Sequence, residues 1–217
     1  RCPPLGAAGG AGRGDTLFPR LWQDDCLNWL SSLPRRPMNA ENIADPEGND
    51  LPPPPATLLA RLSALGLAHE TVPHEAVFTV EQSTAVRARL PALQEGLHIK
   101  NLFLRNKREE MWLVVAEAHR PIDLKKLGER IGLGRASFGS PERLMKHLGV
   151  RPGSVTPFSL VNDTTHAVRL AVDRVILDAP RAWAHPLVNT MTVGLSGTDL
   201  GRFFAHTGHA PMILALD

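Results

Sequence analysis

Three short stretches of this 217-residue chain contain groups that could do chemistry, and none of them offers an obvious nucleophile or metal site. Lys100 and Asn101 interrupt an apolar run with strand character. Gly153 and Pro157 bracket a loop whose backbone N–H and C=O groups could face a ligand, and His185 is expected to open a late strand. A lysine ammonium inside a strand can bind an anion, but at a sheet edge it can simply be solvated. A tight turn after a helix explains the loop equally well, so the pattern leaves both interpretations open.

The familiar motifs for hydrolysis and nucleotide binding are missing from the sequence. It has no HExxH, no G-x-S-x-G and no Walker A or G-x-G-x-x-G pattern. Both cysteines lie within the first 26 residues, so the remainder has no cysteine-based zinc site. Among the nine histidines, His206 and His209 form the closest pair, at a predicted helix end. A metal-dependent hydrolase built on these two residues remains an alternative, although surface or capping roles are the simpler interpretation.

Composition and charge limit the class of protein. Hydrophobic residues make up 43% of the chain and charged residues 21%, which is enough apolar material for one or two globular domains. No uninterrupted apolar run is long enough to cross a membrane, and no secretory signal is recognisable, so we expect a cytoplasmic protein. The net charge of +2 does not indicate general nucleic-acid binding, and any polyanion would have to be recognised locally.

The chain divides into two parts by composition. Residues 1–55 are rich in proline and glycine and contain one short apolar cluster, so we expect a mostly disordered N-terminal extension. The first methionine is Met38, which suggests that residues 1–37 are an upstream extension; a transit peptide is a weaker interpretation because this stretch contains aspartates. Residues 56–217 are expected to form the folded domain.

Within 56–217, hydrophobic spacing, capping residues, glycines and prolines predict a series of helices and strands. Helices are predicted at 56–65, 79–90, 123–132, 140–149 and 196–208, and strands at 67–74, 97–105, 110–118, 166–177, 187–195 and 211–217. The order lacks regular βαβ units. It therefore predicts an α/β domain with a mixed or antiparallel sheet rather than a doubly wound one.

Three segments carry a resemblance to a known family. They are HIKNLFLRNK, residues 122–163 with the stretch GVRPGSVTPFSLVND, and HPLVNTMTVGLS. Together they resemble the YbaK/prolyl-tRNA synthetase-associated editing-domain superfamily, in particular its free-standing Ala-tRNA(Pro) deacylases, over residues 56–217. The resemblance implies a curved mixed, largely antiparallel sheet surrounded by helices, and an aminoacyl-tRNA deacylase that needs no metal or other cofactor. Such editing is physically necessary because a pocket for proline also admits alanine, and each missing methylene discriminates by only about 1–3 kcal/mol.

The same resemblance implies roles for individual residues. Lys100 would engage the phosphate or ribose of the terminal adenosine, Asn101 would orient that nucleotide or the loop, and His185 would shape the alanine pocket. The GxxxP loop, residues 153–157, would measure the amino acid with its backbone. Phe78 and Thr79 would line the pocket or, alternatively, begin a helix. We expect a water molecule, positioned by the loop and by a ribose hydroxyl, to attack the ester. The catalytic residues that the resemblance implies are Lys100, Asn101, Gly153 and His185. The substrate-binding residues that it implies are Phe78, Thr79, Ser154, Val155, Thr156 and Pro157.

The expected partner is the acceptor end of tRNA(Pro), which a monomer would bind. We also expect transient contact with prolyl-tRNA synthetase or an elongation factor, and no membrane association. Several basic residues are available for phosphate contacts: Arg105, Lys107, Arg108, Lys125, Lys126, Arg135, Lys146 and Arg151. Two alternatives stay open. The substrate could be another mischarged tRNA such as Cys-tRNA(Pro), or the domain could bind tRNA without catalysis.

Overall fold

The structure, a computed structural model, describes residues 55–77 and 80–216, with Val80 and Glu81 described by their backbone alone. The segment 1–54, which holds nearly all of the predicted extension, lies outside the described residues, as do Phe78 and Thr79. The domain boundary and the roles of those two residues therefore stay predictions. Among the described residues, no helix is both long enough and apolar enough to cross a membrane.

Six helices, labelled α1 to α6 within the described ranges, surround the sheet. Three of them begin at the capping residue that the sequence predicts. Asp123 accepts hydrogen bonds from the backbone N–H groups of Lys125 and Lys126, and Ser140 and Ser196 cap the two helices that follow them. The helices are α1 (Pro55–Ala64), α2 (Val80–Arg89), α3 (Leu124–Arg130), α4 (Pro141–Leu148), α5 (Arg174–Leu177) and α6 (Gly197–His206), with short 3₁₀ turns at Pro91–Leu93 and Pro157–Asn162.

The strands form one eight-stranded mixed sheet in the order β1-β7-β6-β2-β3-β5-β8, with β4 beside β2. Pairing is antiparallel for β1–β7, β6–β7, β2–β3 and β2–β4, and parallel for β2–β6, β3–β5 and β5–β8. The predicted mixed α/β architecture is thereby confirmed. The strands are β1 (His69–Pro73), β2 (Leu97–Arg105), β3 (Met111–Glu117), β4 (Ser137–Phe138), β5 (Val168–Asp173), β6 (Ala182–Ala184), β7 (Met191–Leu195) and β8 (Met212–Leu214).

The central strand β2 changes partners along its length. On one side it pairs with β3 from Ile99 to Arg105. On the other side it pairs with β6 only at residues 97–98 and with β4 only at 104–105, so within the described chain residues 99–103 have no strand on that side. The sheet therefore opens beside the middle of β2, and a loop rather than a strand covers the opening.

Apolar residues fill both faces of the sheet and hold β2 in place. The largest cluster packs α1, α4 and α6 against one face, with Phe103 and Phe158 among its members, and a second cluster packs α3 against the other face through Leu104 and Trp112. A third, smaller cluster joins β1, α2 and β6 around Trp183. These clusters also hold the strands β2, β6 and β7 and the helix α2 in place.

Two strand predictions are wrong in extent. The apolar run 166–177 forms β5 only as far as Asp173, and its last four residues form the helical turn α5. The run 187–195 forms β7 only from Met191, so His185 follows β6 in a loop instead of opening a strand. Short apolar runs fit a strand and a buried helical turn equally well, and here long-range packing decided between them.

Candidate functional site

A pocket of about 280 Å³ opens beside the unpaired part of β2. Its walls come from β2, β6, β7, α2 and the loop before the second 3₁₀ turn. Five of the sequence-predicted positions line this pocket: Lys100, Asn101, Gly153, Val155 and His185. The lining residues are Val77, Ser83, Arg87, His98, Ile99, Lys100, Asn101, Ala118, Gly153, Val155, Trp183, Ala184, His185 and Thr192.

Lys100 is held by backbone carbonyl groups at the edge of this pocket. Its ammonium donates hydrogen bonds to Ala118 O, at 3.2 Å, and to Arg120 O, both in the turn that follows β3. Burial lowers the pKa of Lys100, the nearby Arg120 charge lowers it further, and Glu117 opposes both effects. The ammonium is thus a positioned cation rather than a freely solvated one, although β2 does lack a strand on one side at this point.

Asn101 connects β2 to the loop across the opening. Its amide nitrogen donates to Val155 O at 3.0 Å. Since that carbonyl can only accept, the amide oxygen of Asn101 faces the other way; it is buried and has no hydrogen-bond partner among the described residues. A buried acceptor without a donor is costly, so this oxygen is suited to receive an N–H or O–H group from a ligand.

The loop before Pro157 is shaped by its glycine and by hydrogen bonds inside it. Gly153 has φ of +87°, a conformation that side chains disfavour, and the Ser154 N–H donates to Arg151 O at 3.0 Å. Ser154 is almost fully buried and does not contribute to the pocket wall.

The end of the loop is buried beneath the pocket wall. Thr156 is fully buried, its hydroxyl caps the following 3₁₀ turn by accepting from Phe158 N–H, and Pro157 starts that turn. The structure therefore brings Gly153 and Val155 to the pocket, whereas Ser154, Thr156 and Pro157 lie behind them and support the loop.

His185 faces the pocket as a neutral imidazole. Its Nδ1–H donates to Met191 O at 3.0 Å, which leaves Nε2 as an acceptor. Burial lowers the pKa of His185, and the neighbouring His74 lowers it further against the opposing effect of the hydrogen bond. The group that orients this histidine is a carbonyl and not a carboxylate, which suits a binding role better than strong base catalysis.

His98 and Arg87 are among the polar residues of the pocket that the sequence reasoning missed. His98 donates through Nε2 to Leu93 O at 2.8 Å, its ring stacks on Trp183, and burial lowers its pKa to about 4. Arg87 reaches the pocket from α2 and donates to Thr84 Oγ1 at 2.7 Å. His98 stands two residues before Lys100, on the same face of the strand, and this spacing was a usable signal. Arg87 gave none, because its place depends on how α2 packs.

A hydroxyl–histidine contact also borders the pocket. Thr192 of β7 lies 2.8 Å from His74 Nε2, whose other ring nitrogen bonds to Glu75 O at 2.7 Å. Burial lowers the pKa of His74. The arrangement resembles a nucleophile with a base, so covalent catalysis by Thr192 is a mechanism that kinetics must distinguish from attack by water.

The histidine pair considered for a metal site serves a different purpose. His209 is buried, where it contacts Thr207 Oγ1 at 3.1 Å and Asp163 at 3.4 Å, whereas His206 is exposed at the end of α6. Within residues 55–77 and 80–216, no group of three or more His, Cys, Asp or Glu residues is arranged to hold a metal ion. His209 thus helps to fix the segment after the second 3₁₀ turn.

The chain is similar to known editing proteins. Residues 74–203, more than half of the chain, match the family model for the aminoacyl-tRNA editing domain. Among relatives, prolyl-tRNA synthetase associated domain-containing protein 1 of Mus musculus is 36% identical over 169 residues, covering 75% of this chain and 96% of that protein. The prolyl-tRNA editing protein ProX of Acetoanaerobium sticklandii is 33% identical over 153 residues, covering 70% and 91%.

A solved structure supports the fold. A crystal structure provisionally described as a trans-editing enzyme for prolyl tRNA synthetase superposes with a TM-score of 0.56 at 21% identity, covering 75% of this chain and 97% of that one. At this identity the likeness concerns the fold alone. The match of the family model and the two relatives carry the assignment: this chain belongs to the aminoacyl-tRNA editing domain family.

Proposed function

We propose that this protein is a trans-editing deacylase that hydrolyses alanine from mischarged tRNA(Pro). One observation carries the proposal: one pocket beside β2 collects Lys100, Asn101, His185 and the loop residues Gly153 and Val155. These positions are among those that the family resemblance implies, and they come from three separate segments of the chain. The name of the ProX relative, a prolyl-tRNA editing protein, supports the choice of tRNA(Pro).

The pocket suits a small acyl group. Its volume of about 280 Å³ lies just below the ~300–1,000 Å³ typical of ligand pockets, so it would admit an amino acid and part of a ribose rather than a whole nucleotide. Val77, Ile99 and Val155 supply apolar wall close to the polar groups. A hydrogen bond from Asn101 fixes the Val155 backbone, so this side of the pocket cannot move outward to admit the larger proline ring.

The chemistry we propose is attack by a bound water on the ester carbonyl, which expels the ribose oxygen of the tRNA. The N–H of Ser154 is used within its turn, so the N–H groups of Gly153 and Val155 are the loop donors proposed to stabilise the oxyanion. Lys100 would bind the phosphate or ribose of the terminal adenosine as a compact cation. The buried Asn101 oxygen and His185 Nε2 would accept hydrogen bonds from the substrate's ribose hydroxyl and α-amino group.

The proposal also covers the partner, the oligomeric state and the location of the protein. The partner is the acceptor end of tRNA(Pro), bound by a monomer in the cytoplasm through residues 56–217. Transient contact with prolyl-tRNA synthetase or an elongation factor would deliver the substrate. If the basic residues named from the sequence bind the acceptor stem, the logarithm of the affinity should fall linearly with the logarithm of the salt concentration. A flat salt profile would remove phosphate contacts from the proposal.

Single-turnover deacylation tests the proposal directly. Purified protein is mixed with tRNA(Pro) carrying alanine, proline or cysteine, and release of each amino acid is followed. We expect fast release of alanine only, and a loss of roughly 10- to 100-fold in Lys100→Ala, because a hydrogen bond to a charged group contributes about 1.5–3 kcal/mol. The matched control is Arg202→Ala, which removes an exposed cation paired with Asp199 on α6 and should leave the rate unchanged.

The other outcomes select the alternatives. Release of cysteine instead of alanine would keep the enzyme class and change the specificity, whereas binding of every charged tRNA without release would indicate a non-catalytic module. Loss of activity with a chelator would favour a metal-dependent hydrolase. A burst of deacylated tRNA ahead of alanine release, abolished in Thr192→Val, would indicate an alanyl-enzyme on Thr192 and replace direct attack by water with covalent catalysis.

Ribose assistance has a test of its own. A tRNA(Pro) whose terminal adenosine lacks the 2′-OH, carrying alanine on the 3′-OH, should be hydrolysed much more slowly than the normal substrate. Cleavage at the normal rate would show that the hydroxyl takes no part and that the protein alone positions the water.

A further inference from the structure

Three chain segments meet at one end of the central strands. Since β3 and β5 run parallel, the turn after β3 and the last residue of β5 emerge at the same end of the sheet. Because β2 is antiparallel to β3, Lys100 lies at that end too, opposite Ala116. The topology thus places Asp173, which ends β5, close to the turn that holds the Lys100 ammonium.

Asp173 is a buried carboxylate with an unusual set of contacts. Its side chain is 1% exposed, and Arg120 Nε approaches one of its oxygens to 2.8 Å. Asp173 occupies the N-cap position of α5 but makes no capping hydrogen bond, so helix capping does not explain it. Neither carboxylate oxygen has a directed hydrogen bond within the described part of the chain, which leaves the ion pair with Arg120 as its compensation.

Arg120 links this pair to the pocket through its own backbone. Its carbonyl oxygen, together with that of Ala118, accepts the hydrogen bonds from Lys100. The start of the turn is tied to β2, because Ala118 N–H donates to His98 O at 2.8 Å, and Arg120 N–H donates to Glu117 O at 3.3 Å. Besides the hydrogen bond from Lys100, the ion pair with Asp173 ties Arg120, at the far end of the turn, to the body of the sheet.

We propose that Asp173 and Arg120 are positioning residues that fix the turn 118–120 and thereby place the Lys100 ammonium in the pocket. This inference rests on the proposed function for its effect on catalysis, but its structural part does not. A buried ion pair is weak evidence for a role in stability, because apolar residues of similar volume stabilise a protein equally well or better. A role in aiming Lys100 accounts for a charged pair at this particular place.

The charges around Lys100 make the proposal measurable. Its ammonium faces Glu117, which favours the charged form, and Arg120, which disfavours it, and burial disfavours it most. Replacing Arg120 by glutamine removes a neighbouring cation, leaves Asp173 uncompensated and loosens the turn. The loss of the cation and the uncompensated Asp173 carboxylate both favour the charged form of Lys100 and outweigh weaker hydrogen bonds to the loosened turn, so its titration should move to higher pH.

The first experiment is an NMR titration of the protein with ¹³C-labelled lysine. The chain has five lysines, so the Lys100 signal can be assigned by its loss in Lys100→Arg. In Arg120→Gln we expect the Lys100 midpoint to move to higher pH while the other four stay fixed. Arg120→Lys, which retains the cation, should titrate like the unsubstituted protein. The control Arg202→Gln breaks an ion pair elsewhere and should move no lysine. An unchanged Lys100 midpoint in Arg120→Gln overturns the proposal.

The second experiment is a double-mutant cycle in the deacylation assay. Arg120→Gln should slow alanine release roughly tenfold when Lys100 is present and by less than about twofold in the Lys100→Ala background, because coupled residues are not additive. Equal factors in both backgrounds would reduce the pair to a purely structural role. If no charged tRNA is hydrolysed, the proposed function fails while the NMR titration still decides the inference.

A variant that does not fold would not end the test. If Arg120→Gln alone is unstable, combining it with Asp173→Asn leaves no lone buried charge and still removes the cation beside Lys100. The same upward movement of the Lys100 midpoint is then expected, and its absence overturns the proposal.

Discussion

His98 should make the stability of this protein depend on pH between about 6.5 and 4. Burial lowers the pKa of its imidazole to about 4, the hydrogen bond to Leu93 O partly opposes this, and Arg87 lowers it further. The folded protein therefore favours neutral His98, whereas the unfolded chain takes up a proton near pH 6.5. The stabilising contribution is complete above that pH and is lost progressively as the pH falls toward 4.

The size of the effect follows from the same values. Each tenfold change in proton affinity corresponds to about 1.36 kcal/mol, so lowering the pKa of His98 from 6.5 to about 4 sets an upper limit of about 3 kcal/mol. His98 is only partly buried. Because water screens the electrostatic interactions of its exposed part, we expect His98 to contribute a loss of about 1.5 kcal/mol in the free energy of unfolding between pH 7 and pH 4.5.

Urea unfolding of the unsubstituted protein and of His98→Gln measures this contribution. Glutamine keeps an N–H donor for Leu93 O but does not titrate. Between pH 7 and pH 4.5 the free energy of unfolding should fall about 1.5 kcal/mol further in the unsubstituted protein than in the variant. Other histidines whose pKa is lowered by burial, such as His74 and His185, contribute to both proteins and cancel. An equal fall in both proteins would refute the claim that His98 is buried in its neutral form.

Three further substitutions test the geometry of the pocket. A Cβ on Gly194 would lie 2.5 Å from the Trp183 ring. Gly194→Ala should therefore either lower the free energy of unfolding by about 1–3 kcal/mol or push the ring into the pocket and slow alanine release. If neither urea unfolding nor the release rate changes, this packing is contradicted. Gly153→Ala places a side chain at φ of +87° and should slow deacylation roughly tenfold with little change in melting temperature; a normal rate would remove the loop from catalysis. Asn101→Ala removes the donor to Val155 O and should slow release roughly 10- to 100-fold, while a normal rate would show that the loop holds itself in place.

Local signals in the sequence predicted the helices well. Ser140, Pro141 and Gly149 mark both ends of α4, and Gly149 adopts the left-handed conformation expected of a helix terminator. The hairpin of β2 and β3 was equally clear, because two apolar strands flank a short charged turn. These features depend on neighbours in the chain, and a sequence displays them directly.

The pocket depends on contacts between distant parts of the chain, and there the sequence was less informative. Trp183 and Thr192 reach the pocket because β6 pairs with β2 and with β7, a pairing that hydrophobic pattern does not specify. The same holds for Asp173, which the pattern placed inside a longer strand. The GxxxP loop was identified by resemblance, but which of its residues face the pocket could be decided only from the structure: Val155 does, and Thr156 does not.

The opening in the sheet beside residues 99–103 has a consequence for how specificity can evolve. The proposed recognition surface there is made by a loop seated against a strand, and most of the strand pairing that stabilises the domain lies elsewhere. Substitutions or insertions in the loop can therefore alter which amino acid is admitted without shifting the register of any strand pair, much as variable loops diversify on a constant framework. Under the proposed function, a few substitutions in this loop could adapt the pocket to a different misacylated tRNA.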